Sequence, residues 1–376
     1  MSDDITTPLR VVLVGAGAMG RAWVGAITAS PDARLVGLVD LNLAAAKAAV
    51  EDAGLTGIVT GANLSDVIAA TAAQAVVNVT VPVAHHPVNV EALFAGLPVL
   101  CEKPIAPTVS QALSLAAAAE VSGQLLMVSQ SRRYFQTLAA FKRGLPALGD
   151  VGLLSTEFYR APHFGGFREE MDHVLLVDMA IHAFDAARYL LDDDPVAVYC
   201  EEFNPAWSWF AGAAAATATF EFASGARYVY TGSWVTSGLV TSWNGSWRAS
   251  GPLGSAAWDG DNPPVFELAS GDPVDAPIED SLEEISGSLA EFIHAIRSGA
   301  VPSGEVHGNV LSLAMVEAAV LSAEARVRIT IDDVLRVALA TAIADEERDD
   351  LRAALESWTA SHPLVREDAS GRPGRG

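Results

Sequence analysis

Three stretches of the chain hold residues whose types and spacing could do chemistry. The first is Gly15-Ala16-Gly17-Ala18-Met19-Gly20, with Asp40 twenty positions further on. In a strand-to-helix turn, Gly15 permits a tight exit and Gly17 removes the Cβ that would hold the backbone away from a pyrophosphate. Gly20 lets the helix pack closely on the sheet. The helix N-terminus then offers unpaired N–H groups and a partial positive charge to phosphates. A carboxylate at Asp40 can bind both hydroxyls of an adenosine ribose, so the chemistry is dinucleotide binding. The second stretch is Glu102-Lys103-Pro104. The Lys103 ammonium could donate to a substrate hydroxyl or carbonyl, and from position alone a surface lysine before a loop proline reads about as well. The third runs from Val177 to Asp185. Asp178, His182 and Asp185 are expected on one helix face, where a carboxylate and an imidazole in an apolar setting make a base and its orienter. A solvated polar stripe in which Asp178 caps His182 is the blander reading, and on spacing alone it is favoured.

The elements around these stretches must position them. Val11–Val14 and Leu35–Val39 are short apolar runs flanking a small-residue helix, which is a strand–helix–strand unit. Leu43–Ala53 reads as a helix, Ile58–Thr60 as a short strand, and Ser65 as the cap of a further helix. Ala75–Thr80 is apolar and β-branched, as a buried parallel strand should be. It ends at Val81-Pro82, ahead of a loop bearing His85-His86 and a helix over Val88–Ala95. Pro98–Cys101 is the next strand and delivers Glu102-Lys103-Pro104 to its C-terminal end, where open α/β sheets bind ligands. A helix over Val109–Ser122 and a strand over Leu125–Val128 complete an alternation that predicts a doubly wound parallel sheet.

Beyond that point the pattern changes. A helix is expected over Met171–Leu191. Thr217, Thr219 and Glu221 alternate with Ala218, Phe220 and Phe222, and Ser224-Gly225 turns into Arg227–Trp234 as a hairpin. Arg160 and His163 follow a strand that should lead toward the site, which makes them substrate candidates. Ser281 with Glu284 reads as a capping box for a helix that Gly299 ends. Val310–Ala325 is another helix, Val327–Ile329 a strand, and Ile331–Ser361 one or two amphipathic helices. Residues 366–376 are polar and Gly-rich and are expected to be disordered.

Composition narrows the class. The 376 residues suffice for two domains, and 51% hydrophobic with 18% charged residues is globular. With 46 acidic against 23 basic residues the net charge is −23, which disfavours nucleic acid and anionic membranes as partners. No apolar run is expected to span a bilayer. The start, MSDDITTPLR, lacks the pattern of a signal peptide. Cys101 and Cys200 have no metal or redox spacing, so a cytoplasmic protein without a metal is expected. Six of the eight tryptophans, Trp207, Trp209, Trp234, Trp243, Trp247 and Trp258, fall in the later half. They suit sugar faces, but sheet packing explains most of them as well.

The motifs 14–20, 102–104 and 178–185, with Gln130-Ser131-Arg132-Arg133-Tyr134 and Gly149-Asp150-Val151-Gly152, resemble those of the glucose–fructose oxidoreductase/inositol dehydrogenase (Gfo/Idh/MocA) family. So does the helix Asn309–Ala325 followed by Arg326–Ile329. The resemblance implies an N-terminal Rossmann domain (1–128) and a second α/β domain with a large, mostly antiparallel open sheet (129–365), whose late helices could pack back on the first. Homodimers or homotetramers through that sheet are implied too. Implied roles are His182 as proton acceptor, Lys103 as the residue that binds substrate and tunes the base, and Asp178 as their positioner. Lys103 and His182 are expected to meet beside the cofactor. Cofactor contacts are implied for Gly15, Gly17, Ala18, Met19, Gly20, Asp40, Thr80, Pro82, His86, Glu102, Lys103 and Gln130, with His85 the alternative to His86. Arg132, Arg160, His163 and Asp178 are implied substrate contacts. NAD is expected over NADP, because Asp40 would repel a 2′-phosphate and Leu41-Asn42 offers no cation. The implied activity is oxidation of a secondary hydroxyl of a sugar, polyol or cyclic alcohol, or the reverse reduction. The alternatives are an NAD-dependent glycosidase and a nucleotide-sensing regulator without catalysis.

Overall fold

Six short apolar runs, connected by helices, build the first sheet. In the computed structural model, which describes residues 7–358, 362 and 364, they are β1 (Leu9–Val14), β2 (Ala33–Val39), β3 (Val59–Gly61), β4 (Ala75–Asn78), β5 (Val99–Glu102) and β6 (Leu126–Ser129). The connecting helices are α1 (Ala18–Ala29), α2 (Leu43–Asp52), α3 (Leu64–Thr71), α4 (Pro82–Phe94) and α5 (Val109–Ser122). The strands are all parallel, in the order β3-β2-β1-β4-β5-β6. This is the doubly wound order, and it reverses between β1 and β4. Every residue of β4, β5 and β6 is buried, because helices cover both faces. That is why these strands read as continuous apolar runs rather than as alternations.

The second sheet is mixed. It comprises β7 (Leu153–Tyr159), β8 (Pro195–Phe203), β9 (Ala215–Phe222), β10 (Arg227–Ser233), β11 (Ser246–Gly251), β12 (Gly254–Trp258), β13 (Val265–Leu268) and β14 (Ile329–Thr330). Their order is β13-β12-β11-β7-β10-β9-β8-β14, with only β7 and β10 parallel. Along β9 and β10 the residues Ala218, Phe220, Tyr228 and Tyr230 are buried and their neighbours are not. One face is therefore packed and the other open. The helices are α6 (Gln136–Gly144), α7 (Ile181–Leu191), α8 (Glu284–Ser298), α9 (Val306–Ala325), α10 (Ile331–Asp345) and α11 (Asp349–Ser357).

The chain divides into two units, and the division is not a simple cut. The first unit takes the described residues up to Ser131, then Leu282–Val310, then those from Val337 on; the second takes Arg132–Ser281 and Leu311–Arg336. The helix after Ser281, expected in the second domain, thus belongs with the parallel sheet. The 366–376 tail lies outside the described residues.

Several local expectations need correction. α4 begins at Pro82, not Val88, because proline is at home in a first helical turn; His85 and His86 are therefore helical. The cap of α3 is Asn63, whose side chain accepts from the Asp66 amide at 2.9 Å, rather than Ser65. No capping box forms at Ser281: α8 starts at Glu284, which has φ +50°, without a side-chain cap. The Ser281 carbonyl instead accepts from Gln136 Nε2 at 2.8 Å. Among the described residues one helix, Val306–Ala325, is long and apolar enough to cross a membrane by length and composition. Its apolarity serves packing, since 67% of the relevant window is buried inside the protein. The helix expected over Met171–Leu191 is a π-helical stretch, Leu175–Ala180, running into α7.

Candidate active site

The nucleotide turn is built as its residue types require. Gly15 sits at φ +106°, and a Cβ there would lie 2.7 Å from the Val79 carbonyl oxygen; at Gly20 a Cβ would fall 2.1 Å from the Gly15 oxygen. Neither contact leaves room for a side chain. Gly17 differs: no atom lies within 4 Å of its added Cβ, so its missing side chain opens space outside the turn. α1 starts at Ala18 with no side-chain cap and no acid in its first turn, which leaves its N-terminal amides to an anion. Ala18 and Met19 are exposed there. Asp40 follows β2; its Oδ2 accepts from the Ala16 amide and its Oδ1 from the Asn42 amide, each at 2.8 Å. The carboxylate is thereby locked onto the glycine turn, with lone pairs left for ribose hydroxyls.

The C-terminal ends of β4, β5 and β6 add a second layer. Buried Asn78, the last residue of β4, accepts from Thr80 Oγ1 at 2.8 Å and donates to Asn89 Oδ1 at 2.7 Å, which shapes the turn into Pro82. His85 is buried, with Nδ1 at 2.7 Å from the Pro104 carbonyl and Nε2 at 3.0 Å from the Thr80 carbonyl. Burial holds this imidazole below its usual value of 6.5. His86, about 100° round the helix, turns instead to Ser114 Oγ at 2.9 Å. His85, and not His86, lies between the Thr80 and Pro104 carbonyls, and as a neutral ring it donates to one of the two. Glu102 accepts from Trp23 Nε1 at 2.9 Å, joining β5 to α1; burial pushes its carboxyl up. Lys103 is half-buried just past it, ahead of a cis bond to Pro104. Ser129 Oγ and Gln130 Nε2 at the end of β6 are buried with no hydrogen-bond partner among the described residues. Free helix amides, an anchored acid and unpaired buried polar atoms at one sheet edge fit a dinucleotide.

In the second unit, His182 lines a small cavity with Arg132, Met179, Tyr230, Trp243 and Trp258. Arg132 donates to Asn244 Oδ1 at 3.0 Å and to the Trp243 carbonyl. Arg160 places its guanidinium 4.5 Å over the Trp243 ring and donates to the Thr241 carbonyl at 2.9 Å. Asp178 pairs with Arg168 Nε at 2.7 Å. Asp185 leaves the expected stripe: it is buried and bonded to Arg133 Nε at 2.7 Å, Arg133 Nη2 at 2.6 Å and Ser312 Oγ at 2.7 Å. The π-helical stretch before α7 shifts the helical phase between Asp178 and Asp185. His163 is exposed and stacks on Trp209 at 3.8 Å. Trp234, Trp247 and Trp258 are core residues, whereas Trp207 and Trp243 are 70% and 41% exposed. Sequence reasoning missed Asn78, Trp23 and Arg168. Only Asn78 left a signal, as a polar residue closing a buried strand.

Fold and turn geometry define an NAD-binding α/β protein. Residues 9–130 match the model described as the oxidoreductase family with an NAD-binding Rossmann fold, and 146–256 match that family's C-terminal domain model. The chain belongs to the Gfo/Idh/MocA oxidoreductase family. It is 30% identical over 266 residues to an uncharacterised protein, y4oX, of Sinorhizobium fredii, covering 66% of this chain and 72% of that one. To inositol 2-dehydrogenase 4 of Saccharopolyspora erythraea it is 35% identical over 194 residues, covering 50% of this chain but only 56% of that enzyme. Among solved structures, an Agrobacterium radiobacter oxidoreductase in complex with NAD+, L-tartaric acid and magnesium aligns with a TM-score of 0.80 at 20% identity, covering 87% of this chain and 99% of that one. A myo-inositol dehydrogenase from Corynebacterium glutamicum aligns at 0.71 and 23% identity, covering 86% and 99%. These structural likenesses show the fold.

Proposed function

We propose that the protein is a dehydrogenase that oxidises a secondary hydroxyl of a sugar or cyclic polyol, with NAD preferred over NADP. The observation that carries this reading is the Asp40 carboxylate locked against the Ala16 amide on the glycine turn, in a chain that also carries Lys103, Asp178 and His182. The inositol dehydrogenases among its relatives support the substrate class. Bound NAD supplies the hydride acceptor. Gly17 and the α1 amides hold the pyrophosphate and Asp40 the ribose hydroxyls, with Gln130 and Thr80 lining the same sheet edge. Lys103 orients the substrate hydroxyl, and His182 takes its proton at a ring nitrogen. Asp178, held by Arg168, fixes the geometry of that step, and Arg132 and Arg160 bind the substrate's other oxygens. The second sheet exposes Leu153 and Tyr199 on its open face, and this reading assigns self-association to that face, in a cytoplasmic enzyme.

A panel of myo-inositol, hexoses and their alditols, offered with NAD to purified protein, tests the proposal. NADH formation with at least one cyclic or secondary alcohol supports it. Glycoside hydrolysis without net NADH would replace it with the transient-oxidation reading. NAD binding with neither reaction would leave a sensor.

A further inference from the structure

Away from the residues discussed so far, Glu120, His307 and His362 bring three potential ligand atoms within 4.8 Å of one another. Glu120 lies near the end of α5, His307 in the first turn of α9, and His362 beyond α11. All three belong to the first unit. Nε2 of His307 and Nε2 of His362 lie 2.9 and 3.0 Å from the same oxygen, Oε1 of Glu120. The other Glu120 oxygen accepts from Trp358 Nε1 at 3.1 Å, and the Trp358 ring stacks on His362 at 4.0 Å and 11°. Behind His307, Nδ1 is 2.7 Å from Glu305 Oε1.

The chemistry of this set is specific. Both ring nitrogens of His307 and Nε2 of His362 face carboxylate oxygens, and a ring nitrogen and a carboxylate oxygen at that distance need a cation between them, either a proton or a metal. A carboxylate on the far nitrogen of His307 is the arrangement that fixes the tautomer and raises the basicity of metal-binding histidines. Two imidazoles and one carboxylate suit zinc-class transition metals, whereas magnesium and calcium take oxygen ligands. The side chains are 37%, 23% and 14% exposed for Glu120, His307 and His362, so solvent can fill the fourth position of a tetrahedral site. We propose that Glu120, His307 and His362 bind a divalent transition metal of the zinc class, which clips the segment beyond α11 onto α5 and the start of α9. Coordination replaces the direct contacts of His307 Nε2 and His362 Nε2 with Glu120; it also moves the His362 ring proton to Nδ1, which releases the 3.2 Å contact from the Leu364 amide. Because the metal closes a loop of 242 residues between Glu120 and His362, binding adds to the stability of the fold.

Untagged, chelator-stripped full-length protein titrated with zinc sulfate in a calorimeter is the test. The wild type should bind one equivalent through these residues, and its thermal midpoint should rise with zinc. His307→Asn combined with His362→Asn should abolish that equivalent while far-UV circular dichroism stays native. Glu305→Gln, which keeps all three ligands, should weaken binding by about 10–100-fold. Should the double variant fail to fold, Glu305→Gln and the cobalt-substituted wild type, whose visible bands report nitrogen coordination, still decide. No binding by the wild type, or an equivalent retained unchanged in the variants, overturns the proposal.

Discussion

At the residue scale, the strongest expectations concern single charges and protons. His182→Ala should lower turnover by about 10²–10⁴-fold, the usual worth of a positioned acid or base. NAD affinity, measured by fluorescence titration, should hold, because the glycine turn lies elsewhere in the chain. An unchanged turnover would remove His182 from the chemistry. Asp40→Asn keeps the shape of the side chain and drops its charge. The preference for NAD over NADP, read as a ratio of dissociation constants, should then fall by about tenfold or more, equivalent to about 1.4 kcal/mol. An unaltered ratio would mean that something other than the Asp40 charge excludes the 2′-phosphate.

At the element scale, the glycine turn and α4 make contrasting demands. Gly20→Ala puts a methyl 2.1 Å from the Gly15 oxygen, so backbone must move. A loss of about 1–3 kcal/mol in urea unfolding is expected. Gly17→Ala meets nothing within 4 Å and should leave stability nearly intact while NAD affinity drops. If both variants lose stability equally, the open space at Gly17 is not a ligand's space. His85 sets a pH dependence for the first unit. Its folded value is depressed by burial from 6.5, so the unfolded chain gains a proton near that pH while the folded chain does not. The stability linked to this residue is complete above about pH 6.5 and is lost as pH falls toward the folded value, with a slope of at most about 1.4 kcal/mol per unit. Urea midpoints between pH 7 and 5 should fall less steeply in His85→Gln than in the wild type; parallel slopes would assign the effect to other groups.

At the scale of the molecule, a buried ion pair organises the second unit. Arg133 and Asp185 expose 8% and 3% of their side chains, and Ser312 donates to the same carboxylate. Three segments far apart in sequence meet there: the chain after β6, α7 and α9. Arg133→Met leaves Asp185 charged and short of its partner, which should cost about 3–5 kcal/mol. A loss below about 1 kcal/mol in denaturant unfolding would show that the pair is not what joins them.

The sequence by itself determined the parallel sheet, the nucleotide turn and the β9–β10 hairpin. Each is a local matter: a glycine needed where a Cβ has no room, a buried strand that is apolar throughout, and an alternation that repeats every two residues. The family motifs placed Lys103, Asp178 and His182 in the chain. Tertiary structure decided the rest, because it depends on which distant segments pack together. Helical spacing put Asp178, His182 and Asp185 on one face, but the π-helical stretch ahead of α7 shifts Asp178 out of phase with the other two, and a buried arginine takes Asp185. Where the His85 and His86 rings lie depended on the helix starting at Pro82, which turns the first inward and the second toward Ser114. The pairing of Asp178 with Arg168 is likewise a meeting of separate segments. No spacing rule could have joined Glu120, His307 and His362, which stand 187 and 242 residues apart. Short-range patterns encode the elements, and only the folded chain brings such long-range neighbours together.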